Sequence, residues 1–378
     1  MENENNFDMD NVSEDEALAN QEKNKKNKKK KKALIIILSI IGAILLLGII
    51  ALFCLNRYFD SMLSLISYDT GDENVSFDET VGDEDMESSI PEAPAPDELP
   101  PYEIIEGWYD GDSIAAAYEE EVLNILLIGA DTLDGNHARS DTMILMSINP
   151  VKNRIVLTSF MRDSYIELPG RNYNRLNAAH AKGGPAYLIE TLEYNFHIDI
   201  DNYAKVDFSS FKEAVDAIGG ITLTVNDVNY NYFYDWDGID GLSQSKATDG
   251  THTVHLNGAE ALSYARTRKG HRVENSDFGR TAHQRDFLSQ FVNNCKGSSL
   301  SELDSLLKTL LPHVVTDIPQ EDLKSYLLNA LTYLSYDMDD ARVPCAGSYE
   351  NFTTNSGAQV LNINVPANEK YVKAVIYG

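Results

Sequence analysis

An uninterrupted apolar run of 23 residues, from Ala33 to Leu55, constrains this chain more than any other feature. The run contains no charged residue. As a helix rising about 1.5 Å per residue it would be roughly 34 Å long, which is enough to cross a bilayer. A cleaved signal peptide usually has a shorter apolar stretch followed by a small-residue cleavage site. The sequence therefore predicts a retained transmembrane helix over residues 33–55.

Residues 1–32 predict the orientation of that helix. Eight lysines in this segment are matched by eight acids, and the lysines gather between positions 23 and 32, directly before the apolar run. Positive residues beside a first spanning helix stay in the cytoplasm. We therefore expect a single-pass protein of the cell membrane, with a charged cytoplasmic tail at 1–32 and an extracellular C-terminal part.

The composition after the apolar run changes near residue 120. Residues 58–120 hold 19 acids, no Lys or Arg, and five of the 12 prolines, which predicts an extended acidic linker. Residues 121–378 are long enough and apolar enough for one folded domain. The formal net charge of −28 argues against a nucleic-acid partner, because nucleic-acid binding needs a cationic surface. Three cysteines exclude a disulfide scaffold, and a bridge between Cys295 and Cys345 stays open.

Strand and helix patterns alternate along residues 121–378. This interleaving predicts an α/β (α+β) fold, in which helices cover both faces of a central mixed β-sheet. The predicted strands are Val122–Gly129, Thr142–Ile148, Arg154–Ser159, Ser164–Leu168, Asn202–Val206, Ile221–Val225, Ala341–Pro344 and Tyr371–Tyr377. The predicted helices are Gly184–Tyr194, Phe208–Ile218, Asn257–Arg266, Thr281–Asn294, Leu300–Leu311 and Gln320–Tyr336.

Two acids lie where predicted strands end or begin. Asp131 follows the first strand, and Asp141 lies beside Arg139 just before the second. Two carboxylates near arginines suit Mg²⁺ bound to phosphate oxygens, because Mg²⁺ takes one or two carboxylates plus water and substrate oxygens. Ordinary loop capping by Asp is the alternative.

Arginines gather in two further segments of an otherwise acidic domain. Arg162 precedes Asp163, and the second segment holds Arg266, Arg268, Asp277 and Arg280 around the gap between two predicted helices. The planar guanidinium matches phosphate oxygens bidentately and stays charged, so a pyrophosphate is a suitable ligand. A surface ion pair and a solvated helix end are the alternatives. The chain has no GxxxxGK[ST] and no GxGxxG motif.

Seven ordered stretches between Asn124 and Arg285 resemble the LytR–CpsA–Psr family of cell-wall glycopolymer ligases. They are NILLIGAD, RSDTMILMSINP, SFMRDSYIELPG, NRLNAAHAKGGP, VDFSSF, LNGAEALSYARTRKG and DFGRTAHQR. The resemblance implies a three-layer α-β-α domain in the Gram-positive envelope, with an apolar tunnel for a polyprenyl chain. It also implies a Mg²⁺-dependent phosphotransferase that moves a glycopolymer from polyprenyl pyrophosphate to a peptidoglycan hydroxyl.

The resemblance also implies roles for individual residues. Asp131 and Asp141 match the family's magnesium-linked acids and, with Arg162, are the catalytic candidates. The candidates for binding pyrophosphate are Arg139, Arg162, Arg266, Arg268, Asp277, Arg280, His283 and Gln284. Two positions depart from the family pattern: Met161 stands where Pro is usual, and His283 stands where Arg is usual.

Two other functions stay open at this point. A pyrophosphatase that hydrolyses the lipid donor would use the same residues, and the family has also been labelled as transcriptional attenuators, which makes a non-catalytic envelope regulator the third possibility. The sequence names neither the glycopolymer nor the acceptor, and it does not decide which carboxylate acts as the base.

Overall fold

The computed structural model describes residues 54–69, 90–91, 93, 121–130, 140–226, 230, 250–268 and 277–378. The chain divides into two units between Ser61 and Met62. In the first unit, residues 54–61 are helical. The predicted cytoplasmic tail and nearly all of the predicted membrane helix, 33–55, lie outside the described residues. Within the described ranges, no helix has the length and apolarity that a membrane span requires.

The second unit contains thirteen described strands. They are β1 (Ser67–Tyr68), β2 (Leu123–Ala130), β3 (Ser140–Asn149), β4 (Arg154–Phe160), β5 (Ser164–Glu167), β6 (Tyr173–Arg175), β7 (Asn202–Asp207), β8 (Ile221–Asn226), β9 (Thr251–Leu256), β10 (Val314–Thr316), β11 (Asp337–Val343), β12 (Tyr349–Thr353) and β13 (Gln359–Ile363). Seven of them form the main sheet in the order β1-β10-β7-β2-β3-β4-β11. The sheet is mixed, because β2 pairs antiparallel with β3 and parallel with β7.

Seven described helices accompany the strands. They are α1 (Leu176–Phe196), α2 (Phe208–Ala217), α3 (Gly258–Arg266), α4 (Asp277–Gly297), α5 (Leu300–Leu310), α6 (Gln320–Leu334) and α7 (Val365–Tyr377). Within α1, Gly183 and Gly184 have non-helical backbone angles, so a kink precedes Pro185. The predicted helix at 184–194 is the part of α1 after this kink.

Strand β3 shows how the sheet is covered on both faces. Met143 and Leu145 pack into a core cluster with side chains of α1 and α7, including Leu188 and Val372. The intervening Ile144 packs in a second cluster with side chains of α4 and α6. Because successive side chains of a strand point to opposite faces, the central strands are buried on both sides and read as continuous apolar runs. The predicted mixed sheet with helices is confirmed.

The C-terminal strand predicted at Tyr371–Tyr377 is wrong, because this segment forms the end of α7. The Asn364 side chain accepts a hydrogen bond from the Ala367 backbone N–H at 2.9 Å and so caps the helix, and a proline occupies its first turn. Val372, Val375 and Ile376 are buried at helical spacing. A short apolar run does not distinguish a buried helix from a strand, whereas the Asn-Val-Pro start does.

Part of the predicted linker belongs to the folded unit. Met62, Leu63 and Ile66 are buried together with Leu311. Strand β1 pairs with β10 at the edge of the main sheet. The rest of the segment 58–120 lies outside the described residues, apart from residues 58–61 of the first unit and residues 90, 91 and 93. The carbonyl oxygens of Pro91 and Ala93 accept hydrogen bonds from asparagine side chains of the domain.

A small ribbon of β8 and β9 lies beside α4. The amide of Gln290 both donates to and accepts from the backbone of Thr224, and the amide of Asn294 does the same with Thr222. Two side chains one helical turn apart therefore occupy the hydrogen-bonding edge of β8. Cys295, on the same helix, and Cys345 are both buried free thiols, so the disulfide left open by the sequence does not form.

Candidate active site

Four chain segments bring the polar candidates together at one end of the main sheet. Asp141 lies at the start of β3, and Arg162 follows the end of the antiparallel partner β4. Arg266 ends α3, whose start is fixed by a capping box of Asn257 and Glu260. Helix α4 begins at Asp277. Because these segments begin or finish at the same end of the main sheet, residues that are far apart in the sequence line one cavity.

Asp277 is the centre of the charge cluster. One of its carboxylate oxygens lies 2.8 Å from Nη2 of Arg280 and 3.3 Å from Nε of Arg162. The other oxygen lies 3.2 Å from Nη2 of Arg268. A single carboxylate thus holds three guanidinium groups that would otherwise repel one another. Three cations around one anion leave the cluster with net positive charge.

Arg162 connects this cluster to the β3 side of the site. Its Nη1 donates a hydrogen bond to Oδ1 of Asp141, and its Nε lies 3.5 Å from Asp163. Burial opposes its charge, but Asp277, Asp163 and Asp141 together raise the pKa of Arg162. For Asp163 burial is the larger effect and raises the pKa of its carboxyl, although Arg162 acts in the opposite direction. Arg162 is therefore a permanently charged anchor.

Arg280 and Gln284 lie one turn apart on α4 and are mostly buried. Burial lowers the pKa of Arg280, and the Asp277 carboxylate opposes that shift. Among the described residues, neither Nε of Arg280 nor Oε1 of Gln284 has a hydrogen-bond partner. Buried polar atoms are normally paired, so these two atoms indicate a polar ligand.

A polar cavity of about 270 Å³ lies among these side chains. Its lining consists of Asp141, Arg162, Arg266, Arg268, Arg280 and Gln284. Four guanidinium groups face one small space beside a single carboxylate. Such a space suits an anion with several oxygens, because each arginine can donate to two of them.

An apolar chamber of about 340 Å³ adjoins the polar cavity. It lies between the main sheet and helices α2, α3, α4 and α5, with Leu262, Phe287 and Phe291 on its helical side. Arg266 and Gln284 line both spaces. The site therefore has a charged end and an apolar end in direct contact, which suits an amphiphile whose anionic head continues into a hydrocarbon tail.

The structure brings most of the predicted site residues together. Six line the polar cavity, and Asp277 ties its arginines together. Asp131 and Arg139 lie outside the described residues. Ala130, next to Asp131 in sequence, pairs with Asp207 of β7 at the same end of the sheet. Phe287 and Phe291 of α4 line the apolar chamber, whereas Tyr187 of α1 lies in the main core cluster.

His283 does not line the polar cavity. Its ring is fully buried, its Nδ1 lies 3.1 Å from the backbone oxygen of Thr267, and it packs on Tyr264 with ring centroids 4.7 Å apart. The ring thus contacts the segment between Arg266 and Arg268 without lining the polar cavity. His283 stands at a position where the family usually has arginine. The sequence alone does not show which way its ring points, because adjacent positions of a helix face different sides.

Asp163 and Asp207 are two residues of the site that sequence reasoning did not single out. Asp163 lies beside Arg162, and Asp207 lines the apolar chamber while capping α2 through Ser210. Asp207 ends β7 and directly precedes α2. An Asp between a strand pattern and a helix pattern is the sequence signal for a helix N-cap. Within the described ranges, no group of three or more metal-binding side chains occurs.

The domain thus combines an α/β fold with an arginine-lined polar cavity that adjoins an apolar chamber. The family described as LytR_cpsA_psr matches residues 108–374. Because that match covers well over half of the sequence, this chain belongs to the LytR_cpsA_psr family.

Two curated relatives are similar over more than half of this chain. The polyisoprenyl-teichoic acid–peptidoglycan teichoic acid transferase TagU of Oceanobacillus iheyensis is 33% identical over 218 residues, which are 56% of this chain and 63% of TagU. This chain therefore spans less than two thirds of that relative. The regulatory protein MsrR of Staphylococcus aureus is 31% identical over 255 residues, covering 66% of this chain and 73% of MsrR.

Solved structures share the fold. Lin1025 from Listeria innocua aligns with a TM-score of 0.50 and 26% identity, covering 68% of this chain and 97% of that protein. TagT bound to LIIa-WTA aligns with a TM-score of 0.52 and 24% identity, covering 68% and 89%.

Proposed function

We propose that this protein transfers a glycopolymer from a polyprenyl-pyrophosphate carrier to a hydroxyl group of peptidoglycan. The observation that carries the proposal is the shared wall of Arg266 and Gln284 between the polar cavity and the apolar chamber. A lipid pyrophosphate has the matching shape, with two charged phosphates joined directly to a hydrocarbon chain. The name of the TagU relative, a polyisoprenyl-teichoic acid–peptidoglycan teichoic acid transferase, supports the same reaction class.

The proposed reaction exchanges the phosphoanhydride bond of the lipid pyrophosphate for a phosphoester bond to the acceptor. The acceptor oxygen forms a bond to the phosphorus that carries the glycan, while the bridging P–O bond breaks and polyprenyl phosphate leaves. Negative charge accumulates on the non-bridging oxygens, so fixed cations lower the barrier. Arg162, Arg266, Arg268 and Arg280 supply these cations, and Asp277 holds three of them in place before the substrate binds. A carboxylate, Asp141 or Asp131, accepts the proton of the hydroxyl.

Magnesium belongs to this proposal. Asp141 lies in the polar cavity, and one or two carboxylates with phosphate oxygens and water are the usual Mg²⁺ ligands. Asp141 would hold the ion with Asp131, and the bound ion would neutralise phosphate charge. Attachment through the segment 33–55, with the domain outside the cell, places the enzyme where lipid carrier and peptidoglycan meet.

The test uses the full-length protein with a lipid-linked disaccharide donor, peptidoglycan oligomers and Mg²⁺. We expect glycan attached to peptidoglycan, and Arg266→Ala should lower transfer at least tenfold. Lys296→Ala is the control, because it removes an exposed cation at the far end of α4. Free glycan phosphate in place of the linked product would identify a pyrophosphatase. A donor that stays intact would favour a non-catalytic regulator.

A further inference from the structure

The segment that follows the predicted membrane helix is built into the folded unit. Met62, Leu63 and Ile66 pack with Leu311, next to partly buried leucines of α5 and α6. The burial of these three apolar side chains fixes the path of this segment, because releasing it would expose their apolar surface to water. Residues 62–66 therefore act as part of the core, although their position in sequence assigns them to the acidic linker.

Hydrogen bonds continue this attachment through Asp69. Strand β1 extends the main sheet in parallel register with β10, and the backbone N–H of Asp69 donates to Thr316 at 2.8 Å. The hydroxyl of Tyr203 on β7 donates to Oδ2 of Asp69 at 2.5 Å. Tyr203 is itself buried in the main core. The segment 62–69 is thus held by apolar contacts at one end and by an acid of the linker at the other.

A second attachment lies further along the linker. The side-chain amide of Asn362 donates to the Pro91 carbonyl at 2.9 Å, and that of Asn364 donates to the Ala93 carbonyl at 3.0 Å. Asn362 is completely buried, and Asn364 also caps α7, so both amides are held in place by the fold. The two asparagines are two residues apart, as are the two carbonyl groups that they bind.

We infer that the acidic linker is attached to the domain at residues 62–69 and 91–93, so that only the six residues 56–61 separate the predicted membrane helix 33–55 from the folded domain. This inference rests on that predicted helix. Six residues span at most about 20 Å, whereas a free linker of 58–120 would allow the domain to move far from the membrane.

Two insertions test this inference in full-length protein reconstituted into nanodiscs. The same 20-residue Gly/Ser segment is placed either between Arg57 and Tyr58 or between Ser76 and Phe77. Energy transfer is measured from a dye on Cys introduced at Ser301, in a Cys54→Ser background, to a fluorescent lipid. The inserted segment has a root-mean-square length of about 25 Å.

We expect the insertion after Arg57 to lower the energy transfer clearly and the insertion after Ser76 to leave it unchanged. Leu63→Asp, which releases the first attachment, should make the second insertion effective; Leu303→Asp on α5 is the control for an added charge. Equal loss from both insertions would show a free linker and overturn the inference, as would absence of membrane-dependent energy transfer. The energy-transfer measurements do not depend on catalysis, so a failure of this inference can be distinguished from a failure of the proposed transfer reaction.

Discussion

Arg266 on α3 and Gln284 on α4 each line both the polar cavity and the apolar chamber. The two residues therefore form the passage through which a ligand with a charged head and an apolar tail must extend. A substitution at either position tests whether the two spaces act as one site.

Gln284→Leu should weaken binding of the charged head while leaving the apolar chamber intact. The Gln284 amide lines the cavity wall, where its N–H group can donate to a phosphate oxygen, and loss of a hydrogen bond to a charged group costs about 1.5 kcal/mol, roughly tenfold in affinity. Calorimetry with inorganic pyrophosphate measures the change. Gln320→Leu, at an exposed position, is the control. Equal affinities for both variants would contradict a role for Gln284.

Asp277→Asn should destabilise the fold as well as the site. The substitution removes the carboxylate that holds Arg162, Arg268 and Arg280, and an unpaired buried charge typically costs about 3–5 kcal/mol. Urea unfolding measures the loss. Asp304→Asn breaks an exposed ion pair with Lys308 and should cost less than about 1 kcal/mol. Similar losses in the two variants would mean that Asp277 is not the hub of the cluster.

Gly129→Ala should disturb the junction of β2 and β3 at the site. An added Cβ would lie 2.9 Å from Cβ of Thr142, so the strands or the side chain must shift, at a cost of about 1–3 kcal/mol. Thr142→Gly in the same protein should restore the melting temperature in part. Gly297→Ala meets no atom within 4 Å and should have little effect. The steric explanation fails if the double variant melts no higher than Gly129→Ala alone.

Phe278→Leu should reduce transfer more than it reduces stability. The Phe278 ring lies between the guanidinium of Arg342, 4.3 Å from the ring centroid, and Tyr349, with centroids 5.2 Å apart. This stack fixes the first turn of α4, which carries Asp277 and Arg280, so the ring is a positioning residue. We expect kcat to fall about tenfold or more, while urea unfolding shows a moderate change. Phe352→Leu, outside this stack, is the control for loss of an aromatic ring.

Asp163→Asn should change how stability depends on pH. Burial raises the pKa of the Asp163 carboxyl in the folded protein above its unfolded value of about 3.9. A raised folded pKa contributes stability below the unfolded pKa, and this contribution is lost as the pH rises through the folded pKa. The free energy of unfolding of the parent protein should therefore fall relative to Asp163→Asn above about pH 4. A constant difference across pH would contradict the shift.

The strands of the central sheet were predictable because burial on both faces leaves an apolar run, as in β2 and β3. The end of α7 was not, because a seven-residue segment with a single charge, Lys373, fits either element. The distinguishing signal, Asn364 with a proline two residues later, lies upstream. The arginines of the site were predictable as a set, since clustered cations in an acidic domain need a ligand or a partner. The hub role of Asp277 and the inward orientation of His283 depend on packing between α3 and α4, which sequence spacing does not specify.

The side chains of Gln290 and Asn294 have a consequence for the behaviour of the protein at high local concentration. An uncovered strand edge is a template on which a neighbouring chain can add itself, and it is a common origin of aggregation. Along β8 the two amides already satisfy the backbone groups of Thr222 and Thr224. A helix has taken the place that a foreign strand would need at this edge, so the small ribbon of one copy cannot be extended through β8 by a strand of a neighbouring copy.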